Sequence, residues 1–191
     1  MSGASGSPIK ENESGDESVI PLTVSLPALV EDGTDTGFRT TIFRMVTALG
    51  ILQNCREAFA RSMDLTSNQF AVLVGVRYSQ GDEGVSIRAL ADYIQIASTH
   101  VTTEVGRLLD KGLLVKRPNP NDGRSVLVSL SETGEEAVSS VAPYMREVNN
   151  ALFEGFTRKE FQTMDRLMRR LHTNGIRTAD VIRDKARDQK S

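Results

Sequence analysis

The chain has 191 residues, of which 39% are hydrophobic and 25% charged, a composition typical of a globular protein with a hydrophobic core. No run of about 18 apolar residues is present, and no basic region followed by an apolar block opens the chain. The sequence therefore predicts neither a membrane span nor a secretory signal. The single cysteine, Cys55, excludes an internal disulfide, and we expect a protein of the cytoplasm.

Charge is unevenly distributed along the chain. Residues 1–37 carry one basic and seven acidic side chains, whereas residues 38–191 carry 22 basic and 18 acidic ones. The formal net charge of −2 therefore hides an acidic N-terminal segment and a mildly basic body. A mildly basic body permits nucleic-acid binding without demonstrating it.

The first 37 residues are predicted to form a disordered or extended acidic arm. Residues 1–18 are rich in Gly, Ser, Asn and Glu, a composition that buries too little apolar surface to fold. Residues 19–37 are more apolar but are interrupted by Pro21 and Pro27. They could pack on the body of the same chain or on a partner subunit, and the sequence leaves both arrangements open.

Three helices are predicted next. Apolar residues at spacings of three and four indicate a long helix over residues 38–64. Thr66 and Gln69 have the spacing of a capping box, in which each side chain bonds to the backbone of the other residue, and they predict the start of a second helix. Ser86 is predicted to cap a short third helix over residues 87–93.

The fourth predicted helix, residues 98–111, has two distinct faces. One is apolar, whereas the other carries weak helix formers and hydrogen-bonding groups in place of the usual Glu and Lys. Such groups suit base edges and phosphates in a major groove, so we predict that this face binds DNA. A solvated helix face and, for its first residue, a simple N-cap are the alternatives. The predicted DNA-binding residues are Ser98, Thr99, His100, Thr102, Thr103 and Arg107.

Two strands follow, over Leu114–Arg117 and Ser125–Leu130, and a turn rich in Pro, Asn and Gly joins them. The second, third and fourth predicted helices are joined by short connections and followed by a hairpin. This is the order of elements in a winged helix-turn-helix. Arg124, near the tip of the hairpin, is predicted to enter the minor groove, with Asp122 holding its guanidinium in a bidentate pair. A polar turn with a surface salt bridge is the alternative.

Two further helices complete a mainly α fold with a small β-hairpin. Ser131 is predicted to cap a helix over residues 132–154, and a second capping box formed by Thr157 and Glu160 opens a helix that ends near residue 185. An apolar stripe on the last helix and the apolar face of residues 38–63 together exceed what one winged helix can cover. We therefore expect these surfaces both to extend the core and to form a subunit interface. The stripe consists of Phe161, Met164, Leu167, Met168 and Leu171.

Taken together, these motifs resemble the MarR family of bacterial transcription regulators. The resemblance rests on Leu-x-x-Lys-Gly-Leu at residues 108–113, Asp-x-Arg at 122–124 and Leu-Ser-x-x-Gly at 130–134. It covers about residues 66–134, and the flanking helices agree in number and order. Two departures are visible: the wing has Asp-Gly-Arg where the family often has Asp-Arg-Arg, and the N-terminal extension is long for the family.

The resemblance implies a homodimer bound to a double-stranded, pseudo-palindromic DNA operator. Residues 66–134 would be the DNA-binding domain, and residues 38–64 and 135–185 would form the dimerisation region. The family also implies a regulator, by default a repressor, that responds to a small ligand such as an aromatic acid. The candidate ligand residues are Arg39, Phe43, Arg44, Phe59 and Phe70. By pattern alone, Phe43 and Phe70 suit a core better than a pocket, and Arg44 suits solvent or the dimer interface.

The sequence offers no candidate catalytic residue, metal site or cofactor motif, so an enzyme is not expected. The two histidines lack Cys or acidic partners at metal-binding spacing, and no Gly-rich phosphate loop occurs. Two other functions stay open. One is a winged-helix protein-interaction module that binds through the acidic tail and the apolar arm at residues 19–30. The other is a redox-sensing regulator that uses Cys55, although a lone cysteine on an apolar face is more often inert packing.

Overall fold

The structure is a computed structural model that describes residues 20–189 and, within them, every side chain except that of Arg124. These residues fall into two compact units, one within Met1–Gln53 and one within Asn54–Ser191. Within the described range the α-helices are α1 (Thr36–Ser62), α2 (Ser67–Ser79), α3 (Ile87–Ile94), α4 (Ser98–Asp110), α5 (Glu132–Leu152) and α6 (Arg158–Asp188). The strands are β1 (Val85–Ser86), β2 (Leu114–Asn119) and β3 (Asp122–Leu130). The chain is therefore mainly helical with a small antiparallel sheet, as predicted.

The predicted helix starts are confirmed by their caps. The hydroxyl of Thr66 accepts from the backbone of Gln69, whose side chain in turn accepts from the Thr66 backbone. Ser86 caps α3 by accepting from the amide of Ala89. These bonds satisfy amides that the first turn of a helix otherwise leaves without a partner, and they fix where α2 and α3 begin.

The core of the second unit lies between α2, α3, α4, α5 and the sheet. Its most deeply buried side chains are aliphatic, and they come from positions three or four apart on the helices and from the middle strand. Gly134, in the first turn of α5, lies against the carbonyl oxygen of Leu113, so any larger residue there would collide with the backbone. The side chains buried to 0% exposure are Leu73, Val76, Leu90, Val101, Leu108 and Val128.

The sheet has three strands in the order β1-β3-β2, one more than the sequence predicted. The missed strand, β1, is only two residues long, too short to show an alternating pattern, and pairs Val85 with Val128. The hairpin strands are also longer than predicted. Pro118 continues β2 because this strand lies at the edge of the sheet, where a residue without an amide proton is tolerated. The turn between β2 and β3 therefore shrinks to two residues.

The first unit shows that the arm is not simply extended. Pro27–Leu29 form a 3-10 helix, and the backbone amide and hydroxyl of Thr23 both donate to Oδ2 of Asp35 at 2.6 Å. The other oxygen of Asp35 pairs with Nε of Arg39 at 3.2 Å, and the residue is 1% exposed. The Thr23 hydroxyl is the main cause that lowers the pKa of Asp35. Residues 1–18, predicted to be disordered, lie outside the described residues.

Both terminal helices carry exposed apolar residues. In α1, the side chains of Phe43 and Val46 are 75% and 63% exposed, although the pattern favoured Phe43 as a core residue. Among the described residues of its own unit, no side chain covers this face of α1. The helix α6 buries none of its residues, and Leu167 and Leu171 of the predicted stripe are 47% and 49% exposed. Within residues 20–189, no helix has the length and apolar character to cross a membrane.

Candidate nucleic-acid interface

The helix α4 presents the polar face predicted from the sequence to solvent. Its inner side chains, among them Val101, Val105 and Leu108, lie in the core. Since this packing fixes the rotation of the helix, the opposite face must point outward. The six exposed residues on that face are Ser98, Thr99, His100, Thr102, Thr103 and Arg107.

The start of α4 contradicts one alternative interpretation of Ser98, namely that this residue is the N-cap of the helix. The N-cap residue is Ala97, which makes no side-chain cap, and Ser98 is the first residue of the helix. An N-cap role for Ser98 is therefore wrong. The His100 amide donates to the Ala97 carbonyl at 2.9 Å. Without a side-chain cap, the amides of Ser98 and Thr99 keep their hydrogen-bonding capacity for another acceptor, such as water or a phosphate.

The two threonines in the middle of the face are held by their own helix. The Thr102 hydroxyl donates to the carbonyl of Ser98 at 2.8 Å, and the Thr103 hydroxyl donates to that of Thr99 at 3.1 Å. Each hydroxyl oxygen still has lone pairs that can accept, and each methyl group has a fixed direction. Such a surface can contact both a base amino group and a thymine methyl group.

Arg107 makes an ion pair that was not predicted from the sequence. Its Nη1 lies 2.8 Å from Oε1 of Glu104, one turn earlier on the same helix. Glu104 is buried, at 8% exposure, among the apolar residues of the inner face. The signal was present in the sequence, because a glutamate at position 104 interrupts an otherwise apolar inner stripe.

Among the residues that the structure describes, nothing packs closely against Gly106. Apart from its chain neighbours and its own helix backbone, no heavy atom lies within 4 Å of the position that a Cβ would occupy there, so close packing against a neighbouring helix does not require the glycine. A glycine in the middle of a helix costs roughly 1 kcal/mol relative to alanine. Close approach of DNA and simple tolerance are the two explanations that the geometry leaves.

The wing projects as the β2–β3 hairpin. Its tip is braced by Asn119, whose side chain donates to the Ser125 hydroxyl at 2.8 Å and accepts from the Asn121 amide at 3.0 Å. Asp122 is exposed at the start of β3, and the backbone of Arg124 lies two residues further along the same strand. The side chain of Arg124 lies outside the described residues, and its predicted pairing with Asp122 stays a prediction.

The candidate ligand residues have different surroundings. In the first unit, Arg39 pairs with Asp35, and Phe43 and Arg44 are exposed. In the second unit, Phe59 and Phe70 are core residues whose ring centroids lie 6.1 Å apart. The expectation of a core position is thus confirmed for Phe70 and wrong for Phe43. The role of all five residues in ligand binding stays a prediction.

A cleft of about 350 Å³ opens in the second unit beside Phe70. Arg56, from the end of α1, and the exposed rings of Tyr78 and Tyr93 line it together with small and aliphatic residues of α2 and α3. Cys55, by contrast, is half-buried and packs against the core. The sequence could not single out the two tyrosines, since only the packing of α2 on α3 brings them to one cleft.

Comparisons with known proteins agree on one family. A family model described as "MarR family" matches residues 63–125. An uncharacterized HTH-type transcriptional regulator of Bacillus subtilis is 35% identical over 98 residues, which cover 51% of this chain and 67% of the relative. The multiple antibiotic resistance protein MarR of Escherichia coli is 28% identical over 111 residues, covering 57% of this chain and 74% of that protein.

Solved structures show the same fold. A variant of E. coli MarR in complex with operator DNA superposes with a TM-score of 0.58 at 22% identity, covering 69% of this chain and 93% of that one. The regulator BpsR of Bordetella bronchiseptica, whose structure concerns the regulation of its DNA binding by 6-hydroxynicotinic acid, superposes with a TM-score of 0.57 at 23% identity. That match covers 68% of this chain and 91% of BpsR.

Proposed function

This chain belongs to the MarR family of transcription regulators, and from that premise we propose that it is a sequence-specific repressor released from its operator by a small ligand. The observation that carries the proposal is the outer face of α4. Six exposed residues present hydroxyl, imidazole and guanidinium groups on a helix whose inner face is locked into the core. The E. coli relative crystallised with operator DNA supports the same use of the fold.

Binding as a dimer follows from the apolar surface that a single protomer leaves exposed. The helix α6 has a half-exposed stripe that includes Leu167, Met168 and Leu171, and α1 separately exposes Phe43 and Val46. Contiguous apolar surface of this kind marks an interaction site. A symmetric dimer would present two copies of α4 about one DNA turn apart, and it would therefore recognise a palindromic site.

The cleft beside Phe70 is the proposed effector site. Arg56 supplies a guanidinium that no acidic side chain in the described residues pairs with, and Tyr78 and Tyr93 supply aromatic walls. A planar carboxylate could pair with the guanidinium and stack on the rings. The Bordetella neighbour, whose DNA binding is regulated by 6-hydroxynicotinic acid, supports this class of ligand. Arg56 therefore replaces Arg39 and Arg44 as the proposed carboxylate partner.

The test is selection of duplexes from a random library by the purified full chain, followed by footprinting on the DNA upstream of its own gene and its neighbours. We expect a palindromic consensus and a protected site. Binding at moderate salt that does not distinguish the selected duplex from mixed sequence would contradict the proposal and favour a protein-interaction module. The cleft is tested separately, by titrating benzoate and 6-hydroxynicotinate into the protein–DNA complex and comparing Arg56→Ala with the exposed control Arg61→Ala.

A further inference from the structure

Glu104 is an ionisable residue that the proposed function does not use. Its side chain is 11% exposed, and it shares the inner face of α4 with Val101, Val105 and Leu108. A carboxylate buried among apolar side chains is costly unless it is paired. One oxygen, Oε1, has a partner in Arg107, whereas Oε2 is buried and has no hydrogen-bond partner among the described residues.

The pair joins the core of the protein to its proposed DNA surface. The side chain of Arg107 is 57% exposed, and its Nη1 is bound to Glu104 at 2.8 Å. A guanidinium has five N–H donors in a rigid plane. With one end anchored to a buried group, the plane keeps its orientation while the remaining donors stay available to a ligand. An exposed arginine without an anchor would have to lose rotamer freedom on binding.

Pairing also changes what Arg107 can recognise. The charge of Glu104 offsets that of the guanidinium, so the pair attracts phosphates less than a free arginine does. The direction of its remaining donors is unaffected. Two parallel N–H groups are needed to hydrogen-bond the O6 and N7 atoms of guanine. Anchoring therefore weakens sequence-independent binding and favours binding to a base edge.

We propose that Glu104 is a positioning residue that makes Arg107 a reader of one base rather than a binder of phosphates. This inference rests on the proposed function, because it presupposes that α4 enters a DNA groove. It predicts opposite changes in affinity for two kinds of DNA. Removing the carboxylate should weaken binding to the selected site and strengthen binding to unrelated DNA, whereas a residue that only supports the fold would affect both in the same direction.

The experiment compares Glu104→Gln with wild type on two probes, a duplex selected by the wild-type protein and a mixed-sequence duplex. We expect the ratio of the two affinities to fall about tenfold, with the loss confined to one base position in each half-site. Affinity for the mixed duplex should rise about threefold, and its dependence on salt should steepen by about one phosphate contact. Glu57→Gln, which removes the same charge from an exposed pair with Arg61, should leave the ratio unchanged.

Two further variants keep the test decisive. Glu104→Met fills the same space without polar atoms and should reproduce the loss of discrimination even if the glutamine variant is unstable. On an Arg107→Ala background, Glu104→Gln should change the ratio less than about twofold, because the residue acts through Arg107. An unchanged ratio, or equal loss on both probes, overturns the inference while the wild-type preference stands. A wild-type protein without sequence preference overturns the proposed function first, and the inference with it.

Discussion

The helices α4 and α6 are both amphipathic, yet the apolar face is buried in α4 and exposed in α6. Four of the 13 residues of α4 are buried, so its apolar face is satisfied within the chain and its polar face is what remains exposed. None of the 31 residues of α6 is buried, and its apolar stripe lies in solvent. An exposed polar face on a fully packed helix suggests recognition of a polar ligand, whereas an exposed apolar stripe suggests a partner that covers it.

The largest effect is expected from breaking the α6 stripe. The double variant Leu167→Asp/Leu171→Asp places two charges in the proposed dimer interface and should convert the protein to a monomer of half the mass. Affinity for the selected duplex should fall about 100-fold or more, because linked half-site binding is lost. Sedimentation equilibrium and a DNA titration measure the two changes.

The control for this variant is Gln162→Asp, which adds a charge at an exposed polar position of the same helix. It should leave mass and affinity unchanged. A double variant that stays dimeric would show that the stripe has another role.

A tenfold loss of DNA affinity is expected from a double substitution on the outer face of α4. Thr102→Val/Thr103→Val removes two hydroxyls while keeping side-chain shape, and the two lost hydrogen bonds together are worth about 1.4 kcal/mol. Affinity for the selected duplex should therefore fall about tenfold, while the mass and the melting temperature stay near wild type. A drop in melting temperature equal to that of a core substitution would mean that the hydroxyls serve the helix rather than DNA.

Replacing one glycine in each helix should have a smaller effect and allows a direct comparison of α4 with α6. Among the described residues, neither Gly106 of α4 nor Gly175 of α6 has a heavy atom beyond its own helix backbone and chain neighbours within 4 Å of the position of an added Cβ. Alanine at either site should raise the free energy of unfolding by roughly 0.5–1 kcal/mol, measured by urea denaturation. If DNA approaches α4 closely, Gly106→Ala should also weaken DNA binding, and Gly175→Ala should not. Equal DNA affinities would assign Gly106 to simple tolerance.

The sequence predicted most of the fold because its signals are local. The capping residues Thr66, Ser86, Ser131 and Thr157 each act within one turn of the helix they start, and all four bonds are present. The outer face of α4 was likewise predictable from spacing alone. The N-cap of α4 and the Glu104–Arg107 pair are local features that were missed. Most other failures depend on contacts between distant parts of the chain.

Three examples show the missing information. The strand β1 exists only because β3 passes beside it, and its two residues carry no pattern of their own. Phe43 looked like a core residue because hydrophobicity does not reveal whether a neighbour covers a side chain. Tyr78 and Tyr93 lie on different helices, and only tertiary packing places them in one cleft with Arg56.

The smallest effect is expected from lowering the pH, which should destabilise the first turn of α6 but not that of α4. The Thr157 hydroxyl donates to Glu160 at 2.6 Å and, with the Thr157 amide, lowers the pKa of that carboxyl. A lowered pKa means that the stabilisation is present above the ordinary value for glutamate and is lost as pH falls through the lowered value. The first turn of α6 should then exchange its amides faster in acid, whereas α4, which begins at Ala97 without a side-chain cap, should show no such step. NMR titration of Glu160 checks this, and Thr157→Ala should return its pKa towards the ordinary value. If the pKa of Glu160 is the same in wild type and in Thr157→Ala, the capping box does not hold the charged carboxylate.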